Sequence, residues 1–297
     1  RGPAMKNRFM LAPLTNQQSH ADGVLSDDEF RWLTMRAEGG FGLTMTCAAS
    51  VQDGGQGFPG QLGAHDDRHI PGLTRLAGAL RAQGTHAVLQ LHHAGMRSPS
   101  ALIGRQPLCP SANAETNARA MTLAEVEQTR DDFIAAARRC ERAGFDGVQL
   151  HGAHGYLLCQ FLSPEINQRE DQYGGSLENR SRLLFEIVDG VRASCGPDFS
   201  LGVRLSPERF GLKLEEIASV AQRLMREDNI EYLDMSLWDV FKEPEDAAHK
   251  GRSLMSFFTE LDRGNVRLGA AGKLMTGDAC KRAMDGGLDF VIIGRAA

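Results

Sequence analysis

Eight short runs of β-branched and apolar residues recur along this chain, and nothing else in the sequence limits the fold as tightly. They are RFMLAP (8–13), GLTMTCA (42–48), HAVLQL (86–91), DGVQL (146–150), SLGVRL (200–205), IEYLDMS (230–236), VRLGAA (266–271) and DFVIIG (289–294). Between them the apolar residues return at helical spacing. Leu123, Val126, Phe133, Ile134 and Ala137 share one helix face, and Leu184, Ile187, Val188 and Val191 share another. Thr122 with Glu125, and Ser26 with Glu29, have the spacing of a capping box at a helix start. Strands that alternate with helices run parallel, because each helix carries the chain back, and eight such units make a (β/α)8 TIM barrel. A doubly wound open sheet is the competing arrangement. Either way the reading is one α/β domain over residues 1–297.

Loop lengths favour the barrel. The returns from helix to strand are brief and glycine-capped, as at EGGF (38–41), AQGT (82–85), AGFD (143–146) and DGGLD (285–289). The loops that leave the strands are long, at 92–121, 151–179 and 237–253. Loops of that length are usually functional, and these emerge at the face where barrels build their active sites. The run HGAHGY (151–156) sits there. The last strand ends within a few residues of Ala297, which leaves no room for an eighth helix, so native residues are expected beyond this sequence.

Composition narrows the partners. A formal net charge of −5 provides no basic stripe for nucleic acid and no polybasic segment for a membrane surface, so a small-molecule partner is expected. No window approaches the ~20 apolar residues of a membrane span, and the N-terminus lacks the hydrophobic core of a signal peptide. A cytoplasmic location is expected. Six cysteines with no C-x-x-C pair read as free thiols rather than as a zinc ribbon or a disulfide framework.

Three kinds of chemistry compete for the strand ends. GQGFPG (55–60) matches a dinucleotide fingerprint in letters only, since Pro59 interrupts it and no helix opens on it, and it reads as a flexible loop. His92, His93, His151 and His154 offer imidazoles for a metal-dependent hydrolase or lyase, although the strand ends supply no accompanying set of acids. Alternatively His151, directly ending a strand, and His154, three residues on, converge on one oxygen as an oxyanion-type site. Tyr156 would then add a weak acid of unperturbed pKa ~10 suited to protonating a carbanion or enolate. The same histidines could instead merely satisfy backbone groups in a long loop. Across the barrel, Gly272 ends the seventh strand, and Gly294 and Arg295 end the eighth, where barrels often bind phosphate.

These residues together resemble the old yellow enzymes, FMN-dependent ene-reductases built on a (β/α)8 barrel. The resemblance spans the chain and is carried by HGAHGYLLCQFLSPEINQREDQYGGSLENRSRLLFEIVDGVR (151–192), with KNRFMLAPLT (6–15), LQLHHAGMRS (89–98), GVRLSP (202–207) and GR (294–295). It implies that Ala12, Pro13, Leu14 and Thr15 line the flavin ring, that Ala48 packs against it, and that Gln90 bonds its pyrimidine edge. Arg204 would stand beside N1 and the C2 carbonyl, and Gly272, Gly294 and Arg295 would grip the phosphate. His151 and His154 would hold the substrate's carbonyl oxygen, with Tyr156 as proton donor. The implied reaction is ping-pong: NAD(P)H reduces FMN and leaves, and an electron-poor alkene then takes a hydride at its β-carbon and a proton at its α-carbon. A homo-oligomer is expected. Asn16 and Gln17 stand where one branch of the family has an aromatic substrate contact. A barrel module of a larger iron–sulfur flavoprotein of the dienoyl-CoA reductase type is the alternative within the same resemblance, disfavoured by His151, which that branch usually lacks.

Overall fold

The computed structural model describes residues 5–297. Eight parallel strands close into a barrel: β1 (Phe9–Leu11), β2 (Leu43–Ser50), β3 (His86–His92), β4 (Gly147–Gly152), β5 (Ser200–Leu205), β6 (Tyr232–Ser236), β7 (Arg267–Ala271) and β8 (Phe290–Ile293). Each pairs with its neighbours in sequence, and β1 closes the ring against β8 with Phe9, Met10 and Leu11 opposite Val291, Ile292 and Ile293. The open-sheet alternative is therefore excluded. Among the described residues no helix is long and apolar enough to cross a membrane.

Helices α1 (Asp27–Glu38), α2 (Ile70–Ala82), α3 (Leu123–Arg142), α4 (Leu177–Ser194), α5 (Leu214–Arg226), α6 (Ser256–Thr259) and α7 (Gly277–Asp285) cover the outside. α3 starts on a full capping box: Thr122 accepts from the Glu125 backbone N–H, and the Glu125 carboxylate accepts from the Thr122 backbone N–H. The expected box at α1 is only half formed. Ser26 accepts from the Glu29 backbone N–H at 3.1 Å, but the Glu29 carboxylate turns inward, where Ser19 and Cys47 donate to it. A buried carboxylate gains more from two donors on the strand side than from one exposed N–H. The first strand is shorter than its apolar run because Pro13 has no N–H to donate, and because the Asn7 side chain accepts from the Phe9 and Gly42 N–H groups at 3.0 Å each in place of a ladder partner.

Inside, the barrel divides into two levels. At the N-terminal end Met10, Leu43, Met45, Val88, Tyr232 and Phe290 form a closed apolar plug. The Tyr232 and Phe290 rings meet edge to face, with centroids 5.8 Å apart, and each lies over a glycine. A Cβ at Gly202 would come within 2.1 Å of the Tyr232 ring, and one at Gly269 within 2.0 Å of Phe290, so those strands carry glycine where a neighbouring ring must pass. Above the plug the inward residues turn polar: Gln90, Gln149, Arg204 and Asp234 are all buried. The plug separates this polar level from a second cavity at the N-terminal ends of the strands, lined by Met10, Leu43, Tyr232 and Phe290 among others.

The loops on that face are not structureless. After β3 the chain makes a 3-10 turn at Gly95–Arg97, a short helix at Ser100–Ile103 and a two-residue parallel ladder of Leu108–Cys109 with Arg119–Ala120. The GQGFPG loop opens no helix, as read from the sequence, but it is tied down: Gly60 O accepts from Ser19 N at 3.0 Å, Gly55 O from Ala94 N at 2.8 Å, and Gln61 Oε1 from Gly57 N at 2.7 Å. All six cysteines are free thiols, with Cys195 half-buried and the rest buried.

Candidate active site

His151 is the penultimate residue of β4, one step earlier than the strand end expected from the sequence, and its ring points into the barrel mouth. The chain then turns back through two left-handed residues, His154 at φ +61° and Gly155 at φ +69°. A non-glycine residue in that region costs about 1 kcal/mol. Two bonds hold it there: His154 N donates to Ser206 Oγ at 2.9 Å, and Arg97 Nη1 donates to His154 O at 2.5 Å. The turn lays the His154 ring against its neighbour, with Nδ1 3.3 Å from His151 Nε2.

Burial, helped by the positive charges of Arg204 and Arg97, pulls His154 down to about 3, and burial with the neighbouring His154 and His92 rings takes His151 well below its ordinary range. Both imidazoles are therefore neutral. His154 Nε2 lies 2.7 Å from Ser236 Oγ, which already accepts from Arg204 Nη2 at 3.4 Å, so the hydroxyl hydrogen is free to bond Nε2. With the hydroxyl donating to Nε2, the His154 proton sits on Nδ1 and faces His151. In that tautomer His154 Nδ1 donates to His151 Nε2, and when the His151 proton is also on Nε2 the two N–H groups converge on one oxygen acceptor between them. Tyr156 stands beside them, its ring centroid 5.3 Å from that of His151 and 4.4 Å from that of His92.

The floor is a continuous polar chain. Gln90 Nε2 donates to Gln149 Oε1 at 2.7 Å, Gln149 Nε2 to Asp234 Oδ2 at 3.2 Å, and Asp234 Oδ2 lies 3.3 Å from Arg204 Nε. Through Ser236 the chain reaches His154, so the barrel floor and the histidine pair are mechanically one unit. Asp234 is fully buried, and burial pushes its carboxyl up against the downward pull of Arg204 and Gln149. Sequence reading missed Gln149, Asp234 and Ser236. The signal was there, since the alternation in IEYLDMS puts Asp234 and Ser236 on the same inward face as Tyr232.

Above this floor opens a cavity of about 610 Å³. His154, Tyr156 and Arg204 line one side, Ala12, Leu14 and Ile292 the apolar base, and Gly272, Gly294 and Arg295 the far side. His151, Gln90 and Ala48 are buried and are not among the residues that line it, nor are Pro13 and Thr15, of which Thr15 is exposed. Ala48 pairs with Gln90 just past a bulge in β2, and its carbonyl accepts from Gln61 Nε2 at 3.0 Å. At Gly272 the backbone has φ +157°, and a Cβ would meet the Asp239 backbone nitrogen at 2.8 Å. Phe210, Trp238 and Lys273, all with positive φ, form the rim, so strained non-glycine residues gather around this one mouth.

The four histidines do not form a ligand set. His93 faces away, its Nδ1 accepting from Gly95 N at 3.0 Å and its Nε2 bonding Gln52 Oε1 at 2.9 Å, and His92 Nδ1 lies 3.0 Å from Gln61 Nε2. Among the described residues no group of three or more His, Cys, Asp or Glu is placed to hold a metal ion. What the cavity does fit is a flat polar heterocycle with an anionic tail. His151 Nδ1 is buried without a hydrogen-bond partner, Arg204 lines the cavity as a cation, the base is apolar, and glycine backbone with the Arg295 guanidinium stands opposite.

Comparison with known proteins agrees with this geometry. Residues 3–297 match the family model described as the NADH:flavin oxidoreductase / NADH oxidase family. The chain is 38% identical over 305 residues to the probable NADH-dependent flavin oxidoreductase YqiG of Bacillus subtilis (strain 168), covering 99% of this chain and 82% of that protein. It is 32% identical to the NADH:fumarate oxidoreductase of Klebsiella pneumoniae (strain 342), where 99% of this chain spans 33% of the relative. Among solved structures, the old yellow enzyme homologue from Zymomonas mobilis superposes with a TM-score of 0.86 at 30% identity, over 98% of this chain and 85% of that one.

Proposed function

The chain belongs to the NADH:flavin oxidoreductase / NADH oxidase family, the old yellow enzymes, whose members bind FMN and use NAD(P)H, and from that premise we propose that it reduces the C=C bond of electron-poor alkenes by a ping-pong sequence. The observation that carries this reading is the pair of neutral imidazoles, His154 Nδ1 and His151 Nε2, 3.3 Å apart beside Tyr156 and across one cavity from an anion grip. When bound, FMN supplies the two-electron transfer, taking electrons from NAD(P)H and giving them to the alkene.

Gly272, Gly294 and Arg295 would hold the phosphate through backbone N–H groups and one guanidinium. Arg204, on the polar floor with Gln90, would face the pyrimidine edge of the ring, and Ala12, Leu14 and Ala48 would flank it, whereas Pro13 and Thr15, outside the cavity lining, would not. His151 and His154 hold the oxygen of the alkene's activating group and stabilise the negative charge that gathers there as the bond is reduced. Because both are neutral, they donate hydrogen bonds without surrendering a proton. Tyr156 gives its O–H proton to the α-carbon, and solvent at the open mouth restores it. A single cavity serves both partners, so NAD(P)H must leave before the alkene enters.

The test is direct. Purified protein should carry visible flavin absorption that NAD(P)H bleaches and that an enone, nitroalkene or quinone restores. Colourless protein that does not take up added FMN, or flavin that no such acceptor reoxidises, would remove the reading.

A further inference from the structure

The cavity wall holds more positive charge than a cofactor grip uses. Arg97, Arg204, Lys273 and Arg295 all line it, and no Asp or Glu is among the lining residues. Three of these cations have an evident counterpart. Arg204 is paired beneath the floor with Asp234 at 3.3 Å, Lys273 at the rim with Asp239 at 3.2 Å, and Arg295 stands at the end of β8 in the phosphate grip. The partners of Arg97 are neutral. Its Nη1 donates to the His154 carbonyl at 2.5 Å, and its Cζ lies over the Tyr156 ring, 4.9 Å from the centroid. Among the described residues no carboxylate is paired with it.

Its position matters as much as its charge. The residue sits on the 3-10 turn Gly95–Arg97 and is exposed at the cavity mouth, on the side where His154 and Tyr156 lie. The bond to His154 and the ring beneath fix the guanidinium plane while using one of its five N–H donors. A fixed planar fork with spare donors matches the two oxygens of a carboxylate. Resting on the ene-reductase reading, we propose that Arg97 anchors a carboxylate on the alkene, so that the preferred substrates are small electron-poor alkenes bearing a carboxylate group. The activating carbonyl goes to His151 and His154, the carboxylate goes to Arg97, and the reacting carbons lie between, beside Tyr156. The phosphates of NAD(P)H are the other anions that enter this mouth, and the experiment separates them.

The FMN-loaded protein and its Arg97→Met and Arg97→Lys variants are assayed with 4-oxopent-2-enoic acid and its methyl ester, following flavin reduction by NADH and by NADPH separately from reoxidation by each alkene. The expected result is a preference of the unaltered protein for the acid, an acid-to-ester ratio that collapses by about ten- to hundredfold in Arg97→Met, the scale of one charge-assisted hydrogen bond, and partial return in Arg97→Lys. An unaltered protein that prefers the ester, or an Arg97→Met variant with the same acid-to-ester ratio, overturns the proposal. So does a loss confined to the NADH or NADPH half-reaction, which would assign Arg97 to the dinucleotide phosphates. Failure of the unaltered protein to reduce even the ester would remove the ene-reductase reading itself, and this inference with it.

Discussion

His154 Nδ1 lies 3.3 Å from His151 Nε2, and burial keeps both rings neutral. An oxygen that enters between them takes a hydrogen bond from each ring once both protons face it, and a phenolate oxygen supplies what the enolate of a substrate would. Replacing either histidine by alanine should therefore weaken binding of a para-substituted phenol by about tenfold, the worth of one donor to a charged acceptor. Titration of the flavin absorption with the phenol measures it. Equal affinity in the unaltered protein and in both variants would show that the pair holds no oxygen.

Tyr156 contributes only to the second half of the proposed cycle. Its O–H is required when the α-carbon takes a proton and plays no part while NAD(P)H reduces the flavin. Tyr156→Phe keeps the ring that packs against His92 and lies under Arg97, so the pocket shape survives. Flavin reduction should stay within a few-fold of normal, while reoxidation by an enone slows by about a hundredfold or more. Rapid-mixing measurement of the two half-reactions checks this, and comparable slowing of both would mean that Tyr156 shapes the pocket rather than moving a proton.

The barrel was legible because it is written in local pattern. Eight apolar runs, glycine-capped returns and long loops on one side each follow from short-range periodicity, and the structure keeps all eight strands. Glu29 was read only as a capping partner because its spacing from Ser26 says nothing about Cys47, which lies on the strand β2 beneath the helix. Gln149 and Asp234 were missed for a related reason. Each is one polar residue in a short strand, and their meaning appears only when closure sets Gln90, Gln149, Asp234 and Arg204 in one ring. Arg97 looked like part of a quoted motif, and its lack of a carboxylate partner shows only once folding sets it against the neutral His154 carbonyl and Tyr156 ring.

The Arg204–Asp234 pair sets how much positive charge the floor presents. With Asp234 ionised, the carboxylate offsets part of the Arg204 charge that would stabilise an electron-rich flavin ring. Asp234→Asn keeps the shape and an acceptor for Gln149 but removes the offset, so the midpoint potential of the bound flavin should become more positive. Equilibration with a reference dye measures it. An unchanged potential would mean that burial keeps Asp234 protonated in the folded protein, and that the pair carries no net electrostatic control.

Acid should destabilise this fold through its buried histidines, and the sign follows from their direction of shift. Burial lowers His92, His93 and His154 to about 3 from an ordinary 6.5, and His151 falls well below that ordinary value. Below pH 6.5 the unfolded chain therefore takes up protons that the folded chain refuses until about pH 3. Stability rises with pH wherever the unfolded state binds more protons, so it is lost as pH falls through this window, by about 1.4 kcal/mol per pH unit for each such histidine. His93 isolates the effect because it is bonded to Gln52 and Gly95 and takes no part in the proposed chemistry. His93→Gln should lower stability near neutral pH through imperfect replacement of those bonds, yet lose less on acidification. Urea midpoints of the FMN-loaded proteins between about pH 6 and pH 4 should converge as pH falls, and parallel lines would mean that His93 does not resist protonation in the folded state.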